Sequence, residues 1–233
     1  MKIIRTALYW LFIISLPALL ITTSVRIAAN SIELFRYGFS KYGVSEATGI
    51  SPTELDRAAS GLIAYFNSNQ EYINVTVVKD GQPFTLFNDK EAEHLKDVKG
   101  LFRLVYWLLL GTLIYALVYA GLNYILWKDR RKVARGLAGG SALTIALVII
   151  LGLMIAFDFD QFFYNFHLLS FANDLWLLDP TTDYLIKLFP QGFWYDAALF
   201  CTLGTAAMAL FLGGTGWWRL RKEKPVKATV QQT

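Results

Sequence analysis

Four stretches of this chain are apolar and long enough to cross a lipid bilayer, and they restrict its architecture more than any other feature. Ala7–Thr23, Leu101–Trp127, Leu137–Phe157 and Ala197–Trp218 each approach or exceed the roughly 20 residues that a helix needs to traverse about 30 Å of hydrocarbon. Lipid offers no water to satisfy backbone N–H and C=O groups, so such stretches fold as helices. With 55% of its 233 residues apolar, the chain reads as an integral membrane protein. Arg103 is tolerated near one end of the second run because its long side chain can snorkel to the interface. The first run, preceded by Lys2 and Arg5, has the flank of a signal peptide. It is longer than the roughly 7–15 apolar residues of such a segment, which favours a retained anchor.

Charge then orients the spans. Lys2 and Arg5, the run Lys128–Arg135 and the tail from Arg219 together hold twelve Lys and Arg residues, against only Asp129 and Glu223. The other sixteen acids and ten bases fall in the two remaining segments or the adjoining span ends. By the positive-inside rule both termini are cytoplasmic, and Ala29–Gly100 and Asp158–Asp196 face outward. The expected order is a first span in residues 1–28, an extracytoplasmic cap at 29–100 and a second span at 101–127. A basic cytoplasmic loop follows at 128–136, a third span at 137–157 and an outer interfacial segment at 158–195. A fourth span at 196–218 and a polar tail at 219–233, read as disordered, complete it. The fold class is mainly α: a four-helix transmembrane bundle with a small α+β cap and an aromatic-rich interfacial helical loop. The net charge of +4 reflects this topology and does not imply nucleic acid. Cys201 is the one cysteine, so no internal disulfide forms.

Within the cap, Ser51-Pro52-Thr53-Glu54 is a capping box with proline at the first helical position. Leu55, Ala58, Leu62 and Tyr65 recur at helical spacing and carry that helix to about Asn67. Tyr72–Val78 is β-branched and aromatic, Asp80-Gly81 is a two-residue hairpin signal, and Phe84–Phe87 is the returning strand. Asn88 with Glu91 starts a helix that runs into the second span, with Gly100 loosening the joint. His94 and Asp97 share a face of it, and His94 lies about 10 Å of helix before Leu101.

Phe157–Tyr195 holds thirteen aromatic residues, five acids from Asp158 to Asp183, and His167. Aromatic surface at this density suits a membrane boundary or the wall of an apolar site. Asp160–Ser170 reads as a short helix in the interface; Asp179-Pro180 starts a second one that ends before Pro190. The two histidines, the only ones present, fall on the same side of the membrane and near the same plane. Each has carboxylates in reach: Asp97 for His94, and Asp174 or Asp179 for His167. Imidazole is the side chain best suited to move protons near neutral pH. The competing reading is a solvated helix residue and an interfacial one. Neither histidine belongs to an HExxH or comparable pair, so no metal site is expected.

The strings EHLKDVKGL (Glu93–Leu101) and FDFDQFFYNFHLLSFANDLWLLDPTTDYLIKLFPQGFW (Phe157–Trp194), in a four-span layout with a cap, resemble the bacterial lipoprotein intramolecular transacylase family. The resemblance implies an enzyme of the bacterial plasma membrane. It would move the sn-2 acyl chain of a diacylglyceryl lipoprotein to the α-amino group of its N-terminal cysteine. It also implies His94 and His167 as the catalytic pair, with no cofactor, acting on lipoproteins among outer-leaflet lipids. Asp97 is then the candidate to orient His94, and Tyr164, Asn165 and Asn173 are candidate donors to an oxyanion. Asp174, Trp176 and Asp179 are further supporting candidates in the matching string. Which histidine is base and which is acid stays open at this level. The rival function is a non-enzymatic membrane protein whose cap binds lipid or a partner protein, and a metal-dependent membrane hydrolase ranks behind it.

Overall fold

The computed structural model describes residues 2–222. Among the described residues, four helices are long and apolar enough to cross a membrane: α1 (Lys2–Ala29), α5 (Asp89–Gly121), α6 (Arg130–Phe157) and α9 (Gln191–Lys222). Between α1 and α5 lies an insert of three helices and a hairpin: α2 (Ile32–Lys41), α3 (Val44–Thr48), α4 (Pro52–Phe66), β1 (Thr76–Lys79) and β2 (Gln82–Thr85). Between α6 and α9 come α7 (Phe159–Ser170) and α8 (Tyr184–Leu188). The described residues divide into two compact units: 2–21 with Leu108–Ile149 and 204–222, and Thr22–Trp107 with Ile150–Leu203.

In the first unit, Phe12 of α1 stacks on Tyr119 of α5, ring centroids 4.5 Å apart, beside Val133 of α6. Leu16 and Leu20 of α1 pack on Ala209 of α9. Pro17 lacks the N–H that would bond the Ile13 carbonyl, and a Cβ on Gly140 would lie 3.1 Å from that oxygen. Glycine at that point lets α6 approach the kink-prone turn of α1 closely. A π turn, Leu122–Leu126, follows α5 where the sequence suggested only the end of a span.

In the second unit, Phe35 and Phe39 of α2, Leu55 and Leu62 of α4, Val77 of β1 and Leu95 of α5 form one core with Leu185, Leu188, Phe189 and Phe193. The hairpin pairs Thr76 with Thr85 and Lys79 with Gln82, and Asp80 and Gly81 take φ of 53° and 75°. Positive φ at both turn residues is the twist-matched geometry that Asp-Gly favours. Ser51 caps α4 through Glu54 N, with Pro52 at the start. Buried Glu54 does not reach back to close the capping box. It accepts from Val78 N at 2.7 Å and pairs with Arg57 at 3.0 Å, fastening β1 to α4.

Several expected boundaries shift. The strands are four residues each and sit closer to the turn than Tyr72–Val78 and Phe84–Phe87. The region 32–48, read only as cap, forms α2 and α3, with Ser31 accepting from Leu34 N and left-handed glycines at Gly43 and Gly49. α5 passes through Gly100 without a break. α6 starts at Arg130, inside the expected basic loop, because Asp129 Oδ1 accepts from Lys132 N at 3.0 Å. The helix expected at Asp179-Pro180 begins at Tyr184 instead: Asp179 Oδ1 is committed to Thr181 N and Oγ1, closing a turn. α9 extends beyond both ends of its apolar run to Lys222, and the tail read as disordered lies outside the described residues.

Replacing Glu54 by Ala leaves the Val78 N–H without its partner and is expected to destabilise the protein by about 1–3 kcal/mol. Glu54→Gln keeps an acceptor and should lose less. Thermal melts of both variants in detergent measure the difference, and equal melting of all three proteins would refute the assignment.

Candidate active site

α5 carries His94 on its polar N-terminal extension, two turns before the apolar part begins at Leu101. The helix starts with a reciprocal cap: Glu91 N donates to Asn88 Oδ1 at 3.0 Å, and Asn88 N donates to Glu91 Oε2 at 2.8 Å. The other oxygen of Glu91, Oε1, accepts from Leu185 N at 2.6 Å, at the start of α8. Asn88 Nδ2 also donates to Asp183 Oδ1 at 2.9 Å. The α7–α9 connection is thus bonded to the first turn of the helix that carries His94. Burial holds the Glu91 carboxyl above its usual range, against the backbone donors that favour its charge.

α7 supplies the second histidine. Asp158 caps it through Gln161 N at 2.9 Å, and the helix then presents Phe163, Phe166 and His167. His167 Nδ1 lies 2.8 Å from the Phe163 carbonyl oxygen one turn back. A carbonyl only accepts, so the proton belongs on Nδ1 and Nε2 carries the lone pair. The ring is walled by Phe163, Phe166, Trp176 and Phe171, with centroids 4.4, 5.4, 5.0 and 5.6 Å away.

The two imidazoles meet. His94 and His167 have ring centroids 6.3 Å apart with planes inclined by 28°, and Phe171 sits edge-on to His94 at 5.0 Å. His94 is only 6% exposed, and its Nδ1 is buried without a hydrogen-bond partner among the described residues. Burial first, then the neighbouring His167, push it down from the ordinary 6.5 to about 4, with Asp97 opposing. Burial also lowers His167, against its bond to the Phe163 carbonyl. Both rings are therefore neutral at pH 7.

The other sequence candidates divide. Asp97 accepts from Asn173 Nδ2 at 2.9 Å, and Asn173 Oδ1 takes Leu175 N at 3.1 Å, so these two tie α5 to the turn before Trp176. Asp97 influences His94 through charge, with no hydrogen bond between them among the described contacts. Tyr164 packs on Trp176 at 5.5 Å, on the edge of the aromatic wall. Asn165 is exposed and accepts from Gln161 at 2.9 Å along the same helix. Asp174 is exposed, and Asp179 is committed to its turn, so His167 bonds a carbonyl rather than either acid. The aromatic positions Phe163, Phe166 and Phe171 were read only as part of a run suited to a membrane boundary or the wall of an apolar site. Phe163 and Phe171 each lie four residues from His167, a spacing legible in the sequence, but the ring they form around it with Phe166 depends on the turn after α7. Glu91 was read only as a cap; its bond to Leu185 spans 94 positions, and no local pattern signals it.

A pair of neutral imidazoles in an aromatic wall can accept a proton, pass it on, and donate a hydrogen bond to a developing oxyanion. No group of three or more His, Cys, Asp or Glu residues close enough to hold a metal ion occurs among the described residues.

The family model described as Lipoprotein intramolecular transacylase Lit matches residues 10–194. An uncharacterised protein of Aquifex aeolicus (strain VF5) is 23% identical over 219 residues, covering 91% of this chain and 94% of that protein. Among solved structures, the in meso structure of the membrane integral lipoprotein intramolecular transacylase Lit from Bacillus cereus aligns with a TM-score of 0.81 at 20% identity. It covers 95% of this chain and 98% of its own. A form of that enzyme with one histidine replaced by alanine aligns with a TM-score of 0.76 at 21% identity. At this identity the likeness establishes the fold.

His94 is neutral when folded and titrates near 6.5 when unfolded, so the unfolded chain binds more protons between those values. Stability from this group is complete above pH 6.5 and is lost as pH falls to about 4, by roughly 3 kcal/mol at most. Melting temperature followed from pH 7 to 4 should drop more steeply for the native protein than for His94→Leu, and parallel curves would contradict the assignment.

Proposed function

Since this chain belongs to the lipoprotein intramolecular transacylase family, we propose that it transfers the sn-2 acyl chain of a diacylglyceryl lipoprotein to the α-amino group of that lipoprotein's N-terminal cysteine. The juxtaposition of His94 and His167 within an aromatic wall carries the reading. The protein lies in the bacterial plasma membrane with both termini cytoplasmic, and the insert and α7 face the outer leaflet, where such lipoproteins reside. The charge asymmetry of the connecting segments supports that orientation.

The reaction needs no external energy. The amine nitrogen attacks the ester carbonyl, the bond from that carbon to the sn-2 oxygen breaks, and one proton moves from nitrogen to the departing oxygen. The products are an amide and a free glyceryl hydroxyl. His167 is the proton carrier: its Nδ1–H is anchored on Phe163, which leaves Nε2 to take the amine proton and return it to the sn-2 oxygen. His94, neutral and more deeply buried, donates a hydrogen bond to the carbonyl oxygen as charge develops there. Asp97, held by Asn173, offsets the positive charge that passes through the pair. The attacking nitrogen and the carbonyl close a ring of about eight atoms, which flexible chains form slowly, so confining the substrate contributes much of the acceleration. Phe163, Phe166, Phe171 and Trp176 do this and keep water from the ester.

His167→Ala should reduce the rate by about 10²–10⁴-fold, measured by mass spectrometry of an N-terminal lipopeptide during conversion to the N-acyl, S-monoacylglyceryl form. Full activity in both His94→Ala and His167→Ala would overturn the mechanism. Because both histidines titrate below the ordinary imidazole value, the acid limb of kcat/KM should follow the substrate amine, at about 7.7–8.0, with any histidine inflection lying below 6.5.

A further inference from the structure

Three cations gather where α1 and α5 change from polar to apolar. Arg26, in the last turn of α1, lies over the Tyr106 ring at 3.8 Å and donates to Asn67 Oδ1 at 2.7 Å. Arg103 donates to the Ser68 carbonyl at 3.3 Å. Lys99, one turn before it, donates to Gln70 O at 2.6 Å and Ser68 Oγ at 3.1 Å, with its ammonium 3.9 Å from the Tyr65 ring. All three converge on the four residues that follow α4.

Among the described residues, none of the three forms an ion pair with a carboxylate. The nearby Glu71 and Glu93 share Lys96, at 2.7 and 3.9 Å, which leaves one carboxylate charge between them. The C-terminal ends of α1 and α4 contribute about half a negative charge each. Against three cations, about one positive charge remains unmatched. Lys99 also feels the excess: burial and then Arg103 hold its ammonium below the usual range. An unmatched charge at the edge of hydrocarbon is costly unless an anion shares the position.

We propose that Arg26 and Arg103, with the charge of the buried Lys99 behind them, form a binding site for the phosphodiester of a membrane phospholipid. A phosphodiester carries one negative charge, and planar guanidinium groups suit its paired oxygens. A lipid fits better than a soluble anion because the cations adjoin exposed apolar side chains, Ile27 at 52% and Leu104 at 65%, along which acyl tails can lie. This site is separate from the histidine pair, and the proposal does not rest on the transacylase reading. Bound phospholipid would set the depth of α1 and α5 in the bilayer and steady the loop after α4.

The test uses the purified full chain in detergent, with native mass spectrometry and thermal melts as readouts and phosphatidylglycerol as probe. Diacylglycerol and inorganic phosphate serve as controls. Phosphatidylglycerol should remain bound and raise the melting temperature, whereas diacylglycerol should not. Arg103→Gln, an exposed position whose loss leaves the core intact, should weaken retention about tenfold, the scale of one charge-assisted hydrogen bond. Arg26→Gln combined with it should abolish retention, and Arg103→Lys should restore part of it. Equal retention by the native protein and Arg103→Gln would refute the site. Equal stabilisation by inorganic phosphate would refute its assignment to a lipid and make it a soluble-anion site.

Discussion

The arrangement of this site depends on one buried carboxylate. Glu91 closes the cap that starts α5, and with its other oxygen takes the Leu185 N–H at the start of α8. It is 1% exposed, and losing its bond to Leu185 N would strand a buried donor. Because His94 follows three residues later on the same helix, the carboxylate that starts the helix also secures the polypeptide that walls the histidine pair. A buried charge is expensive unless its hydrogen bonds are complete, and Glu91 has backbone donors on both oxygens.

Continuity of α5 does the rest of the positioning. A helix that entered lipid from a flexible joint would let His94 wander; here the backbone remains helical from Asp89 to Gly121. The histidine therefore stands a set distance from the apolar run, about 10 Å of helix. The second histidine reaches the same height by a different route, on α7, whose outer face is largely exposed apolar surface, including Leu168 and Leu169. Aromatic side chains from both ends of the α7 turn then enclose the two rings. An environment that lowers both imidazoles suits the proposed reaction, in which a neutral base meets a neutral amine.

The polar contacts around the site suggest a division of labour. Asp97 and Asn173, Asn88 and Asp183, and Glu91 and Leu185 all connect α5 to the α7–α9 segment, while the histidines themselves bond little. Rigidity comes from these links, while His94 Nδ1 stays without a hydrogen-bond partner among the described residues. That arrangement accords with the proposed function, in which a flexible lipid is held in a folded conformation.

Much of this was legible in the residues. Lipid forces apolar runs of this length into helices, so the four long helices follow from composition and order alone. Ser51-Pro52, Asp80-Gly81 and Asn88 with Glu91 signalled their cap and turns, because each such motif satisfies backbone groups within a few residues. Asp179-Pro180 misled because Asp179 Oδ1 closes its own turn on Thr181, and the start of α8 is instead bonded to distant Glu91 through Leu185 N. The membrane class, the scarcity of histidine and the aromatic density of one segment depend on residue type and spacing, and all three are read directly from the chain. Only tertiary structure decided that His94 and His167 share one wall, and that Asp97 bonds Asn173 rather than a histidine. Those contacts join residues more than seventy positions apart, and packing of helices and turns, rather than any local periodicity, brings them together.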